Sequence, residues 1–290
     1  MMPFLAVAAG IASFSVMDAL MKGASLEVGA YNAMLWRSLL GAALMVPLWR
    51  LSGGVWPQRE ALRLHGLRGL NGAIMATMFF YGLKFLPLAE GMAISFIAPL
   101  IALYLAAVLL GEKIESRAIF ASVLGLAGVA VIAGARLSEG GYSSQAAWGI
   151  AAILGSAVLY AWNLILQRQQ AKLAAPIEVA TFQALFASLF LGLLAPWLAV
   201  QPSTAVQGYV SGSAVLAAIS LMMISWGYGR EETQVLLPLE YSAFVWAALF
   251  GWLIFDEALT LPTIAGAVLI VIGCWIAAKR QPVHTEQTVL

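Results

Sequence analysis

The sequence predicts an all-α integral membrane protein whose ten transmembrane helices form two inverted five-helix repeats. Three observations carry that prediction. The first is composition: of 290 residues, 62% are apolar or aromatic and only 10% are charged. Soluble domains run near 45–50% apolar and about 25% charged, so a water-facing surface of ordinary composition cannot be built from this chain. The mean hydropathy is +0.91. The second is a series of long apolar runs separated by polar or turn-forming joints. The third is an internal register at half the chain length.

The apolar runs are read as helices because barrel strands would alternate every second residue over short segments. In order, the expected spans are about 3–21, 31–50, 69–86, 90–110, 117–135, 147–167, 178–199, 211–228, 235–255 and 260–278. Ten spans use about 200 residues and leave about 90 for loops and tails, too few for an attached soluble domain. The first run lacks a basic leader and is long enough to be a span rather than a cleaved signal. Polar joints at 52–68, 111–117, 136–145, 168–176, 201–208 and 229–233 separate most spans. Pro87 and Pro262 mark the two short joints, where fusion would require helices near 40 residues.

Basic residues orient the bundle. With the N-terminus inside, the inner loops and tail hold Arg50, Arg59, Arg63, Arg68, Lys113, Arg117, Arg168, Lys172, Arg230, Lys279 and Arg280. The outer ends hold only Lys22, Lys84 and Arg136, and Arg37 lies within the second span. Both termini are therefore expected in the cytoplasm, with the protein in the cytoplasmic (inner) membrane of a bacterium. Trp36, Trp49, Trp56, Trp148, Trp197 and Trp275 fall near span ends, as interface anchors do.

Several chemistries are disfavoured. A net charge of +1 gives no general attraction to nucleic acid. The single cysteine, Cys274, excludes an intrachain disulfide. His65 falls in a charged loop and His284 in the polar tail, so no imidazole is expected inside a span. The chain contains no HExxH motif and no GxxxxGK[ST] loop. No cofactor and no metal are expected.

Comparison of position i with i+145 aligns the apolar segments throughout. Rarer residues share the offset: Gly10 with Gly155, Asp18 with Asn163, Lys22 with Gln167, Gly82 with Gly227, Glu112 with Glu257, and Gly128 with Gly273. The halves are residues 1–145 and 146–290. Each has five spans, an odd number, so the second enters the membrane upside down. Such inverted repeats are a common plan for secondary transporters, with substrate near the midplane between them.

The segments 89–112 and 239–257 carry a family likeness. The first contains Pro99 and ends Leu110-Gly111-Glu112-Lys113; the second ends Phe255-Asp256-Glu257, and a Gly-containing apolar helix follows each. With the ten-span count and short loops, the chain resembles the drug/metabolite transporter superfamily of the EamA type over nearly its whole length. Phe244 stands where Pro99 has its counterpart, and Asp256 replaces Gly111. The resemblance implies a bacterial exporter of amino acids or other metabolites, with the aromatic amino-acid exporters among the similar proteins.

Polar residues inside spans nominate a substrate path, because they are expensive in lipid and usually face a cavity or the bundle interior. Ser15, Asp18 and Lys22 share one face of the first helix; Tyr160, Asn163 and Gln167 hold the same offsets in the sixth. Asp18 either lines the path or pairs with Lys22 one turn on. Asn163 lines the path or bonds a neighbouring helix. Arg37 lies about two turns, roughly 10 Å, into the second helix. It binds a substrate carboxylate through its fork of donors, or snorkels, or pairs with Asp18 or Glu90. Glu240 meets an ammonium group or carries a coupling proton, or else pairs with Arg230 or Arg168. Tyr81, Trp162 and Tyr241, with Tyr160, supply aromatic walls or ordinary packing. Pro99 is a hinge or merely shapes its helix. Glu112 and Glu257 read as turn and interface residues, not as site residues.

The expected function is secondary transport of a small organic metabolite by alternating access, namely export of amino acids, aromatic ones included. The alternative is an intramembrane lipid- or prenyl-modifying enzyme, which needs clustered acids; the acids here are scattered. The expected partners are a small-molecule substrate and the lipid bilayer. The sequence leaves monomer and homodimer equally open.

Overall fold

The structure is a computed structural model that describes residues 2–110, 116–139, 144–170, 173–228, 230, 239 and 242–278. Every regular element among these residues is an α-helix. In order they are α1 (Met2–Val28), α2 (Ala30–Leu51), α3 (Arg59–Gly82), α4 (Leu88–Ser95), α5 (Ala98–Leu110), α6 (Ser116–Glu139), α7 (Ser144–Gln170), α8 (Pro176–Gly192), α9 (Ala195–Leu198), α10 (Thr204–Tyr228), α11 (Ser242–Phe255) and α12 (Leu261–Ala278).

Local chemistry sets the joints. Gly29, at φ 82°, is the single residue between α1 and α2, and only glycine takes that backbone without cost. The fourth span is divided. Pro99 has no amide hydrogen to give to the carbonyl of Ser95, so the helix ends there and restarts at Ala98. Leu100 N–H and Ile101 N–H both bond the Ile97 carbonyl, at 3.0 and 3.1 Å. The seventh expected span is also divided, into α8 and the short α9.

Several boundaries differ from the sequence expectation: α1 runs on to Val28 and α10 begins at Thr204, and two further differences bear on the interior. The segment 59–68 is not a loop; it is the first part of α3. Ala61, His65, Arg68, Gly69 and Gly72 are buried on one side of it, at helical spacing, while Arg63 and Leu67 are exposed. His65 thus lies in the interior at 0% exposure. Likewise α7 continues to Gln170 instead of ending at 167. Hydropathy alone ends a span where charges begin, but a helix carries charges inward when acceptors meet them.

Packing joins early helices to late ones. α1 lies along α10 and also touches α11; α3 packs on α7 and α8; α2 packs on α8; α6 packs on α12; α4 and α5 pack on α7. One buried apolar cluster draws on every helix except α9. The outer surface is apolar as well. Phe120, Leu126, Val215, Val245 and Leu253 are all exposed, which suits a lipid surround and not water. Among the described residues, Met2–Val28, Ser144–Gln167 and Thr204–Ile224 are each long and apolar enough to cross a membrane; five shorter apolar helices accompany them. Trp56, Trp148, Trp197 and Trp275 are more than half exposed. Trp49 is a core residue instead, its ring edge-on to Phe182 at 5.2 Å.

Candidate functional site

Three polar assemblies of the described interior hold candidate residues; apart from them, buried Glu90 on α4 accepts from Thr263 on α12 at 3.5 Å. The first is Asp18 on α1 and Arg37 on α2. Asp18 is only 3% exposed. It forms no direct ion pair with the Arg37 guanidinium, which reaches its chain neighbour Met17 instead. The Arg37 Nε is buried without a hydrogen-bond partner. Its Nη1 meets only the Met17 Sδ, at 3.5 Å, and a thioether is a weak acceptor. Ser15, on the same α1 face, is satisfied within its own helix by the Ile11 carbonyl at 3.0 Å.

The second assembly lies around Lys22, one turn beyond Asp18. The expected Asp18–Lys22 pair does not form. Lys22 Nζ instead donates to the Glu257 carboxylate, which follows α11, and to the Leu86 carbonyl at 2.8 Å. The Phe255 ring lies 5.1 Å from the same nitrogen. The second oxygen of Glu257 accepts the Leu88 backbone N–H at 2.7 Å, at the start of α4, where the positive end of a helix favours an anion. Glu257 is aimed inward by a tight reversal at Asp256, whose φ of 55° is left-handed. Aspartate is one of the few residues other than glycine that visits this region. Gly251 supplies the space: a Cβ there would fall 2.8 Å from Glu257 Oε2. Glu257 is therefore both a turn and an interface residue, a clasp joining α1, α4 and α11.

The third assembly joins α3 to α7 and α8. Arg68, 6% exposed, donates through Nε to Asn163 Oδ1 at 3.1 Å, through Nη1 to Gln170 Oε1, and through Nη2 to Gln167 Oε1 at 3.4 Å. Tyr160 lies within electrostatic reach of the same guanidinium. The α7 polar stripe thus runs Tyr160, Asn163, Gln167, Gln170 and is answered by one arginine. The chain continues beyond it. Gln170 accepts from Arg68 through its oxygen, so its Nε2 donates to His65 Nδ1. That assigns the remaining hydrogen to His65 Nε2, which donates to Glu178 Oε1 at 3.0 Å. The ring also stacks on Phe182 at 4.9 Å.

The other candidates fall as follows. Trp162 is half-buried on α7. Tyr81 is 42% exposed near the end of α3, its ring edge-on to Phe85 at 5.3 Å. Glu240 and Tyr241 lie outside the described residues, as does Glu112. The structure therefore bonds Asn163 to Arg68 and leaves Asp18 and Arg37 without a direct contact. Sequence reasoning missed Arg68, His65 and Gln170 by counting the first two as loop residues. The missed signal was a buried face at helical spacing, Ala61, His65, Arg68 and Gly72, matched by amides on α7.

Comparison with known proteins now bears on this arrangement. The EamA-like transporter family model matches residues 1–134 and 147–278. The chain belongs to the EamA-like transporter family. A pseudopaline exporter, CntI, of Pseudomonas aeruginosa is 29% identical over 272 residues, covering 92% of each chain. An aromatic amino acid exporter, YddG, of Ancylobacter novellus is 27% identical over 203 residues, covering 67% of this chain and 66% of its own. A crystal structure superposes with TM-score 0.66 over 95% of this chain and 97% of that one, at 22% identity, which shows a shared fold. Membership, with the apolar helices, makes this a multi-pass membrane protein that transports small molecules.

Proposed function

We propose that this EamA-like protein is a secondary transporter that exports a small organic metabolite across the bacterial cytoplasmic membrane. Amino acids, aromatic ones included, are the favoured cargo, and the mechanism is alternating access between inverted halves at residues 1–145 and 146–290. Ten spans place both termini in the cytoplasm. Asp18 and Arg37, with Tyr160, Trp162 and Asn163, contribute to the path; Tyr81, Glu240 and Tyr241 remain candidates for its walls and its charge.

One observation carries the inverted-repeat reading. Gly10 of α1 is approached by Ile224 and Ser220 of α10, and Gly227 of α10 by Pro3 and Val7 of α1. Shifting Gly10 by 145 gives Gly155, and shifting Gly82 by the same offset gives Gly227. Gly155 of α7 is approached by Met78 of α3, and Gly82 of α3 by Gly149 and Ile153 of α7. The α1–α10 contact thus maps onto the α7–α3 contact when the halves are exchanged. The family match over two separate stretches supports the same division. Two similar units in opposite orientation have two equivalent arrangements, which is the physical basis for opening to one side and then the other.

The polar assemblies fit such a cycle. The Lys22–Glu257 clasp and the Arg68 network join helices of the first half to elements of the second at opposite ends of the proposed topology. Rocking of one half against the other must loosen one of them at each opening. The exporter relatives support an organic metabolite as cargo. The deciding experiment is counterflow in proteoliposomes with a broad panel of amino acids and small metabolites. Protein-dependent exchange of at least one class is expected. Absence of exchange across the whole panel would reject the transport reading.

A further inference from the structure

One chain of hydrogen bonds in the interior has its direction fixed from end to end. It begins at Arg68 on α3. A guanidinium only donates, so Gln170 of α7 accepts from it through Oε1. The nitrogen of the same amide only donates, and it meets His65 Nδ1. Nδ1 is therefore an unprotonated acceptor. The ring hydrogen sits on Nε2 and goes to Glu178 Oε1 of α8, 3.0 Å away. His65 is 0% exposed, and the buried Phe182 ring stacks on it at 4.9 Å. The stack and both hydrogen bonds hold the imidazole in one orientation.

That chain is complete only while the ring is neutral. Histidine is the side chain whose charge ordinarily changes between about pH 5 and 8. With hydrogens on both nitrogens, Nδ1–H faces the Gln170 NH2 group, donor against donor. If the Gln170 amide turns over, its oxygen meets Nδ1–H, but its NH2 group then faces the Arg68 guanidinium, again donor against donor. We propose that His65 is a proton site that releases Arg68 from Gln170: the doubly protonated ring, with the amide turned to it, and the Arg68–Gln170 bond exclude one another. Glu178 favours the proton, because an imidazolium is a stronger donor to a carboxylate than a neutral ring. It also links the buried pair to the outside, its side chain being 18% exposed in the first turn of α8.

The surroundings single out this pair. From α8 the ring faces Glu178, and from α7 it faces the neutral Gln170. Arg68 lies three residues on along α3, on the same buried face. α1 and α2 also pack on α3. Among the described residues, Asp18, Lys22 and Glu27 of α1, Arg37 and Arg50 of α2 and Tyr160 of α7 make no hydrogen bond or ion pair to the ring. Arg68–Gln170 is one of the bonds that join α3 to α7, so its release loosens that contact. The release stands apart from the transport reading; its place in an alternating-access cycle rests on that reading, where a proton becomes the ligand that loosens one clasp.

The test reads the ring itself. The chain has two histidines, His65 and His284. Nitrogen-labelled histidine in the full-length protein in detergent therefore gives two imidazole signals, and His284→Ala assigns them. In an alkaline arm at about pH 8 the His65 ring is expected with hydrogen on Nε2 alone, and in an acidic arm at about pH 5 with hydrogen on both nitrogens. The second readout is the melting temperature. Arg68→Leu should lower it in the alkaline arm, and by less than half as much in the acidic arm, where the Gln170 bond is already lost. In a His65→Gln background the two shifts should be equal, because that amide can bond Gln170 and Glu178 but takes no proton. A ring that stays singly protonated in the acidic arm, or carries its hydrogen on Nδ1 in the alkaline arm, overturns the proposal. So does an Arg68→Leu shift that is the same in both arms with His65 in place. Should His65→Gln fail to fold, the ring signals and the Arg68→Leu shifts still decide. No flux is measured, so a protein that exchanges no solute rejects the transport reading without touching this one.

Discussion

The two clasps between early and late helices use different chemistry. Around Glu257 a carboxylate holds an ammonium group, with a helix N-terminus on its other oxygen. Around Arg68 a guanidinium is held by neutral amides, and the carboxylate of Glu178 is linked to it through Gln170 and His65. The first concentrates its strength in one pair of charges. The second spreads it over a chain of oriented hydrogen bonds. A concentrated clasp opens all at once; a distributed one loosens by stages. In the proposed repeat the counterpart of Lys22 is Gln167, an amide in place of a cation.

The largest expected effect comes from removing the carboxylate of the concentrated clasp. Glu257→Gln leaves Lys22 buried, 3% exposed, beside a neutral group. A loss of about 3 kcal/mol of stability is expected, because a broken buried pair strands its partner. Thermal unfolding in detergent measures it, and adding Lys22→Met should recover much of the loss. A single Glu257→Gln variant as stable as wild type would erase the contrast between the clasps.

A smaller loss is expected at the distributed clasp. Arg68→Leu strips donors from Asn163 and Gln170, with a cost of about 2 kcal/mol for the acceptors left in the interior. The His65–Glu178 bond should survive it, since neither partner touches Arg68 directly. Double-mutant coupling between Arg68 and Glu178 then measures how far the chain transmits. Coupling as large as that between Lys22 and Glu257 would show that the second clasp is as concentrated as the first.

The smallest effect concerns the turn that aims Glu257. Asp256→Gly should relieve the left-handed backbone and stabilise the protein by up to about 1 kcal/mol. A loss of stability instead would mean that the aspartate side chain contributes to the clasp.

Much of this architecture is legible in the sequence. The runs of apolar residues are long enough to give helices, and Pro99 marks a break that the backbone makes for want of one amide hydrogen. The polar stripe at Tyr160, Asn163 and Gln167 is also visible, because helical spacing puts those positions on one face. What answers the stripe is not visible. Arg68 reads as an orienting charge at a span edge, since composition cannot tell a solvated arginine from one met by amides 95 to 102 residues away. Lys22 fails for the same reason: its carboxylate is 235 residues distant, while Asp18 offers a partner one turn away. Proximity along the chain favoured the wrong pair, and tertiary packing chose the other. The freedom this leaves to Asp18 is what makes it a candidate for cargo.

The divided fourth span has a mechanical consequence. Its first piece, α4, is eight residues long and is tied at its first amide to Glu257. Its second piece, α5, begins afresh after Phe96 and Ile97. The span is two short levers on a shared joint, not one rod. Tilting of the second lever need not pull on the first, so one piece can yield while the other stays latched.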